Sequence, residues 1–156
     1  MRRRWRAATG VRERAPRYAT GGPVVVDASI AVIWFASEPD RWGAGRLIEA
    51  EVPLFAPDLM AIEAANAWWR KTRRHEMAPG DLEQAVTNLL ALGIAWTSSH
   101  VLLQSATRLA IELGHPVYDC LYLALALSHS ALLASADEHL RRAAQRVGVH
   151  LWAPGR

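Results

Sequence analysis

The stretch VVVDASIAVIWFA occupies residues 24–36 and joins a short strand directly to a helix. The three valines at 24–26 are β-branched and follow a Gly-Gly-Pro turn, a pattern that predicts a short buried strand. The apolar residues from 28 to 36 predict the helix that follows. Asp27 lies at the junction, where a carboxylate either caps the helix or faces a site at the strand end. The sequence leaves both roles open.

The same alternation of strand and helix continues along the chain. Three residues mark helix limits: Asp58 as an N-cap, Pro79 in a first helical turn and Gly114 just after a helix C-terminus. Further strands are predicted around 54–55 and at 94–96, 131–134 and 149–152, with helices at 41–50, 58–74, 79–93, 100–113, 117–129 and 137–147. Short apolar strands separated by long helices imply a parallel sheet covered on both faces. The fold class is therefore α/β, a three-layer α/β/α domain with a short-stranded central sheet.

The basic character of the chain is confined to its start. The first 17 residues contain seven arginines and one glutamate, a charge of +6, which leaves −3 of the formal total of +3 for the rest. Glycines and prolines interrupt this segment, so we predict a disordered basic extension at residues 1–22 and one domain at 23–156. Such an arm either binds nucleic acid or is a solvated leader, and both roles stay open.

The cysteine count and the apolar runs indicate the compartment. Cys120 is the only cysteine, so no intramolecular disulfide can form and a reducing compartment is expected. Asp27 and Ser29 interrupt the apolar stretch where a signal peptide would be continuous. The longest other apolar run, Cys120 to Leu127, is far shorter than the ~18 residues of a membrane span. We expect a cytoplasmic protein with no membrane partner.

Two acidic residues lie on predicted helices that face the core. Glu63 and Asn66 are three residues apart on one helix, and Ile62 and Trp69 predict that their shared face points inward. Asp119 lies in a helix so apolar that most of its circumference must be buried. A carboxylate in such a place costs several kcal/mol unless it is paired, metal-bound or protonated.

Asp137 is the most ambiguous acid. The sequence Ser135-Ala136-Asp137-Glu138 fits a capping box with Ser135 as the N-cap and Glu138 reaching back. In that arrangement Asp137 is only a first-turn acid, whereas at a strand end it would join the other carboxylates. Both roles stay open from the sequence.

Four carboxylates distant in sequence but close to predicted strand ends suggest one oxygen-lined pocket for a hard divalent cation: Asp27, Glu63, Asp119 and Asp137. Carboxylates favour magnesium and manganese over zinc, and the six histidines show no spacing typical of a soft-metal site. An enzyme acting on phosphates is the expectation, with a water activated by the ion attacking a phosphodiester in line.

Four stretches carry a family resemblance: VVVDAS at 24–29, EAAN at 63–66, YDCLYLALA at 118–126 and LLASAD at 132–137. Together they resemble PIN-domain ribonucleases, and most of all the VapC-type toxins of toxin–antitoxin pairs. The resemblance extends from Val24 to Trp152, with the motifs in the family's order and spacing. It identifies residues 23–156 as a PIN-like domain.

The resemblance implies an endoribonuclease that depends on Mg²⁺ or Mn²⁺ and inhibits growth or translation. Its catalytic and metal-binding residues would be the four acids named above. Ser29, Asn66 and Ser135 would support them or contact the substrate, with a serine at 135 where many members have threonine. The implied partners are an RNA substrate, a cognate antitoxin protein and a second copy of the chain in a homodimer.

Three other functions compete with this one. A receiver-type phosphoacceptor needs a lysine on a late strand, but Lys71, the only lysine, falls on a helix. A haloacid-type phosphatase needs an aspartate where this chain has Ser29. A catalytically silent PIN-fold module that binds metal, RNA or a partner protein remains the alternative.

Two further groups of side chains have open roles. The basic residues that follow Glu63 on its helix either hold RNA phosphates or complement the helix dipole: Arg70, Lys71, Arg73 and Arg74. Trp68 and Trp69 either stack on bases or fill a core or partner-binding groove. With Trp34 and Phe35 they form the surface on which an antitoxin would dock.

Overall fold

The structure is a computed structural model that describes residues 18–19, 21–36 and 39–154. Its strands are β1 Tyr18–Ala19, β2 Val24–Val26, β3 Leu54–Pro57, β4 Ala95–Thr97, β5 Leu132–Ala134 and β6 Leu151–Trp152. Its helices are α1 Ala28–Phe35, α2 Ala44–Glu49, α3 Leu59–Arg73, α4 Pro79–Ala91, α5 Ser99–Leu113, α6 Val117–His129 and α7 Glu138–Arg146. None of these helices is long and apolar enough to cross a membrane.

The described strands form one sheet in the order β1-β6-β5-β2-β3-β4, and every neighbouring pair is parallel. β2 is central, with Val25 opposite Phe55 on one side and Leu133 on the other. All three valines of β2 are fully buried, as expected for a strand covered on both faces. The predicted α/β fold with a short-stranded parallel sheet flanked by helices is confirmed. Because the strands run the same way, their carboxyl ends meet at one edge.

Helix α6 forms the centre of the helical packing. It contacts α5 and lies on β2, β3 and β5, and the run from Cys120 to Ala126 is buried without interruption. The sequence predicted this burial because residues on every side of the helix are apolar. Asp119 enters the interior because it lies directly before this run.

The first strand lies within the segment for which we predict disorder. Tyr18 and Ala19 pair in parallel with Leu151 and Trp152 of β6, at the edge of the sheet. Two residues carry too little local signal to predict a strand, and the backbone of β6 supplies the pairing. Residues 1–17 and 20 lie outside the described residues, so the disorder predicted for them stays a prediction.

Helix α3 buries a different face from the predicted one. Ile62 and Trp69 are 67% and 53% exposed, while Met60, Ala64 and Trp68 are fully buried. Residues four apart lie on one face of a helix, and the apolar residues of α3 are spaced so that either of two faces could be the buried one. Ile62 and Trp69 therefore do not mark the buried face, and the inference for Glu63 that rested on them was wrong. Glu63 is half-buried, beside the stripe that does face the core.

Asp58 caps a different helix from the predicted one. It precedes α3 in helical conformation and makes no side-chain cap there. Its Oδ1 instead accepts hydrogen bonds from the Ser99 amide at 2.9 Å and from the Ser99 hydroxyl. Its own amide donates to the carbonyl of Thr97 at 2.8 Å. The pairing of β3 with β4 brings the two turns together, so Asp58 ties the start of α3 to the start of α5.

Replacing Asp58 by alanine should lower the free energy of unfolding by ~1 kcal/mol, the usual cost of losing a helix cap. The hydrogen bonds from Ser99 hold the pKa of Asp58 below its usual value of 3.8. An acid with a lowered folded pKa contributes stability above its unfolded pKa and loses it as the pH falls through the folded value. The difference from wild type should thus shrink below about pH 4. Chemical denaturation measures this, with the exposed Glu83→Ala as a control expected within ~0.5 kcal/mol of wild type.

Candidate active site

Asp27 occupies the carboxyl end of the central strand β2, immediately before α1. It is 7% exposed, and its Oδ2 accepts hydrogen bonds from the hydroxyls of Ser29 at 2.5 Å and Ser135 at 2.7 Å. Its position is that of the helix N-cap, but its side chain accepts no capping hydrogen bond. Of the two roles left open for Asp27, the structural cap is not formed.

The same two hydroxyls join two turns of the chain. Ser29 Oγ accepts a hydrogen bond from the amide of Ala136 at 2.9 Å, and Ser135 Oγ accepts one from the amide of Asp137 at 3.0 Å. The turn after β2 and the turn after β5 are thereby locked side by side. Ser29 and Ser135, predicted to support the acids, both contact Asp27 directly.

Asp137 is the N-cap of α7. Its Oδ1 accepts hydrogen bonds from the amides of His139 at 2.7 Å and Leu140 at 3.3 Å. The capping box with Ser135 as N-cap is therefore not formed, because α7 begins after Asp137 and Ser135 Oγ accepts from the Asp137 amide and donates a hydrogen bond to Asp27. Asp137 is exposed at the rim of the site, and its charge contributes to the raised pKa values of Asp27 and Asp119.

Glu63 reaches the site from α3 and is held by Tyr122 of α6. The Tyr122 hydroxyl donates a hydrogen bond to Glu63 Oε2, and the tyrosine ring is buried. Sequence analysis missed Tyr122, although a tyrosine inside an otherwise apolar helical run needs a partner for its hydroxyl. Asn66 lies one turn further along α3 and is exposed.

Asp119 enters the site from the first turn of α6, next to His115. His115 Nε2 lies 2.8 Å from Asp119 Oδ2, and both side chains are largely covered. Nε2 makes no hydrogen bond of regular geometry, so the contact is mainly electrostatic. It constitutes an ion pair when the ring is protonated.

Burial is the main cause that raises the pKa of three of these carboxyls. The pKa of Asp27 is raised by burial, lowered in part by the two serine hydrogen bonds and raised again by the charge of Asp137. Burial likewise raises the pKa of Glu63, against the hydrogen bond from Tyr122. These hydrogen bonds offset only part of the cost of keeping a carboxylate away from water.

The charges of the acids also act on one another. The charges of Asp27 and Asp119 raise the pKa of Glu63. Burial raises the pKa of Asp119, His115 lowers it, and the charges of Asp137 and Asp27 raise it further. Four side chains from four separate parts of the chain thus form one electrostatic group, as expected for carboxylates that share a site.

The donor chemistry of this group suits a hard divalent cation. Its ligands are carboxylate oxygens, which magnesium and manganese prefer, and a cation would relieve their mutual repulsion. Within the described residues, no three aspartate, glutamate, histidine or cysteine side chains already stand in the arrangement of a metal site. The residues therefore fit such an ion by charge and chemistry, while their side chains have to converge further to bind it.

Comparisons with known proteins point to one family. The family model for the PIN domain matches residues 24–146. Ribonuclease VapC3 from Pyrobaculum aerophilum is 32% identical over 121 residues, which cover 75% of this chain and 91% of that protein.

Solved structures share the fold at lower identity. The Mycobacterium tuberculosis toxin VapC20, which cleaves the sarcin–ricin loop, is 16% identical with a TM-score of 0.63, over 84% of this chain and 99% of that one. A toxin–antitoxin complex from Klebsiella pneumoniae is 18% identical with a TM-score of 0.54, over 73% of this chain and 86% of that one. The resemblance inferred from the four sequence stretches is confirmed.

Removing the Tyr122 hydroxyl should raise the pKa of Glu63 further, because that hydrogen bond lowers it in the wild type. Tyr122→Phe should also lower the free energy of unfolding by roughly 1.5–3 kcal/mol, the scale of a hydrogen bond to a charged group. Carboxyl-detected NMR titration and chemical denaturation measure the two effects. Tyr118→Phe, at an exposed tyrosine on the same helix, is the matched control. An unchanged pKa of Glu63 would show that Tyr122 does not hold it.

Asp27→Asn should increase the free energy of unfolding at pH 7 by ~0.5–2 kcal/mol, the usual range of stabilising substitutions. Burial raises the pKa of Asp27, so the ionised carboxylate destabilises the fold at neutral pH. An acid with a raised folded pKa gains stability as the pH falls through that value, so wild type should approach the variant toward acid pH. Denaturation at pH 7 and pH 5 tests this, with Asp81→Asn as an exposed control. A gap that widens toward acid pH contradicts it.

Proposed function

This chain belongs to the PIN-domain family, and from that premise we propose that it is a Mg²⁺- or Mn²⁺-dependent endoribonuclease, the toxin of a toxin–antitoxin pair that inhibits growth or translation. The observation that carries the proposal is the group of four acids around Asp27. A family member without chemistry would have little reason to keep a buried carboxylate whose pKa is raised by burial and by its acidic neighbours. The similarity to a ribonuclease over most of both chains supports RNA as the substrate.

The four acids differ in how they are held and in how deeply they are buried. Asp27 is held by two hydroxyls and would be the fixed ligand for the ion, joined by Glu63, Asp119 and Asp137. When bound, the ion supplies Lewis-acid activation of the phosphodiester and of the attacking water. Glu63 and Asp119 are half-buried with raised pKa values, so each holds a proton more readily than a free carboxyl and is a candidate for proton transfer.

Two of the four basic residues after Glu63 already have partners. Lys71 Nζ lies 3.7 Å and Arg74 Nε 3.0 Å from the carboxylate of Glu76. This pairing favours the helix-end role for these two. Arg70 and Arg73 are exposed at the end of α3 and are the better candidates for contacts with RNA phosphates.

An antitoxin partner belongs to the same proposal, supported by the likeness to a toxin–antitoxin complex. The homodimer implied by the family resemblance is proposed with it. Of the surface predicted for antitoxin docking, Trp68 is buried in the core, with its ring 6.0 Å from that of Phe35. Trp34 and Phe35 instead line a cleft of about 460 Å³ between α1 and the start of α4. Trp69 is exposed on α3. The docking surface we propose is this cleft.

A catalytically silent PIN-fold binding module is the second candidate. Both candidates bind a divalent ion through the same acids, so cleavage of RNA separates them.

The deciding experiment is incubation of the purified, antitoxin-free protein with a panel of cellular RNAs, with Mg²⁺ or Mn²⁺ and with EDTA. We expect metal-dependent cleavage that Asp119→Asn reduces by at least ~100-fold, the scale of losing a group that acts on the reacting atoms. Asp81→Asn on α4 makes the same chemical change at an exposed position and should retain activity. Cleavage that survives EDTA or Asp119→Asn would contradict the proposal.

Thermal stability in the same solutions identifies the alternative. An ion whose free concentration is 100 times its Kd stabilises the folded state by ~2.7 kcal/mol. Stabilisation of wild type but not of Asp119→Asn, without any cleavage, would favour the silent binding module.

A further inference from the structure

A cleft of about 380 Å³ opens beside Asp27, lined by Ser29, Val32, Ile33, Pro39, Arg41, Trp42 and Ala136. We propose that this cleft binds one unpaired nucleobase next to the phosphate that is cleaved, with Trp42 stacking on the base and Arg41 contacting the strand. The inference rests on the proposed ribonuclease function and specifies how that site would select its RNA.

The cleft is continuous with the acidic group. Ser29 and Ala136 line it, and the same two residues are joined by the 2.9 Å hydrogen bond from the Ala136 amide to Ser29 Oγ. Ser29 Oγ in turn donates to Asp27 at 2.5 Å. A base inserted here would therefore place its own phosphate within reach of the carboxylates.

The wall that carries Arg41 and Trp42 is anchored at the start of α2. The Asp40 carboxylate accepts hydrogen bonds from the amides of Ala44 at 2.6 Å and Gly45 at 2.9 Å. Gly43 adopts a left-handed conformation with φ 70°, and a Cβ added there would lie 2.7 Å from Pro154 Cγ. These contacts explain why α2 begins at Ala44 and not at the predicted residue 41. They also give the cleft a wall that is fixed before any ligand binds.

Trp42 is held from one side by a buried cation. The Cζ atom of Arg141 lies 4.1 Å from the centroid of the Trp42 ring. The guanidinium is fixed in turn by a 2.9 Å hydrogen bond from Nη1 to the carbonyl of Ser135. A ring stiffened in this way loses little conformational freedom when it stacks on a ligand.

The lining chemistry matches a nucleotide of single-stranded RNA. Val32 and Ile33 contribute apolar surface, Trp42 contributes an aromatic ring, and Arg41 is an exposed cation. The volume lies within the ~300–1,000 Å³ of small-molecule pockets. A base in a duplex is stacked and paired on its edges, so only a base in a loop or single strand can enter.

The test uses a short RNA that contains the preferred cleavage position, made also with an abasic site at each nucleotide flanking the cut. Trp42→Leu should raise KM by roughly 5-fold to 150-fold, the range of one base–aromatic stack, with a smaller change in kcat. One abasic substitution should cause the same loss in wild type and no further loss in Trp42→Leu. Trp42→Phe should retain most of the affinity, and Arg41→Gln should weaken binding of every sequence alike. Ile111→Ala, at an exposed apolar residue on α5, is the control.

A different outcome would assign Trp42 to support of Arg141 and Ser135 alone. In that case kcat falls, KM stays unchanged, and the abasic substitution costs wild type and Trp42→Leu equally, which overturns the proposal. Binding of fluorescent tetranucleotides in EDTA separates this inference from the nuclease function. Binding that depends on Trp42 without cleavage would support the base-binding cleft and refute the nuclease function. Cleavage that is insensitive to Trp42 would refute only the base-binding cleft. Absence of both binding and cleavage would refute both proposals.

Discussion

The buried carboxylate of Asp27 is the constraint on which the site depends. Burial disfavours the charged form, and the hydroxyls of Ser29 and Ser135 only partly compensate, since the pKa of Asp27 remains raised. To supply both hydroxyls, the chain must bring the turn after β2 against the turn after β5. The parallel pairing of these two central strands does so, because it sets their carboxyl ends at the same edge.

Helix α6 links this constraint to the core. Its buried run from Cys120 to Ala126 packs against the central strands and α5, and it also carries Asp119 and Tyr122. Tyr122 is both a large core side chain and the hydrogen-bond donor to Glu63. Packing and site geometry therefore share one helix, so a change in the packing of α6 would displace both Asp119 and the hydroxyl that holds Glu63. The accumulated charge opposes stability, a common feature of functional sites.

The sequence predicted elements whose signal is local and failed where two local patterns were equally consistent. The buried strand at 24–26 and the apolar helix α6 have uniform composition, and both were located correctly. On α3 the apolar residues allowed two stripes, and the core selected Met60, Ala64 and Trp68. Asp58 was expected to cap the helix that follows it, but a neighbouring strand brought Ser99 closer.

The amino-acid sequence by itself determined the fold class and the family, and it predicted the four candidate acids, because these follow from residue type, order and spacing along the chain. Only the tertiary structure decided what each acid contacts: two serines for Asp27, Tyr122 for Glu63, His115 for Asp119 and the first turn of α7 for Asp137. The physical reason is that a carboxylate interacts strongly only with donors and cations that lie within about 3–4 Å of it. Which donors come that close depends on strand pairing and helix packing between residues as far apart as 27 and 135.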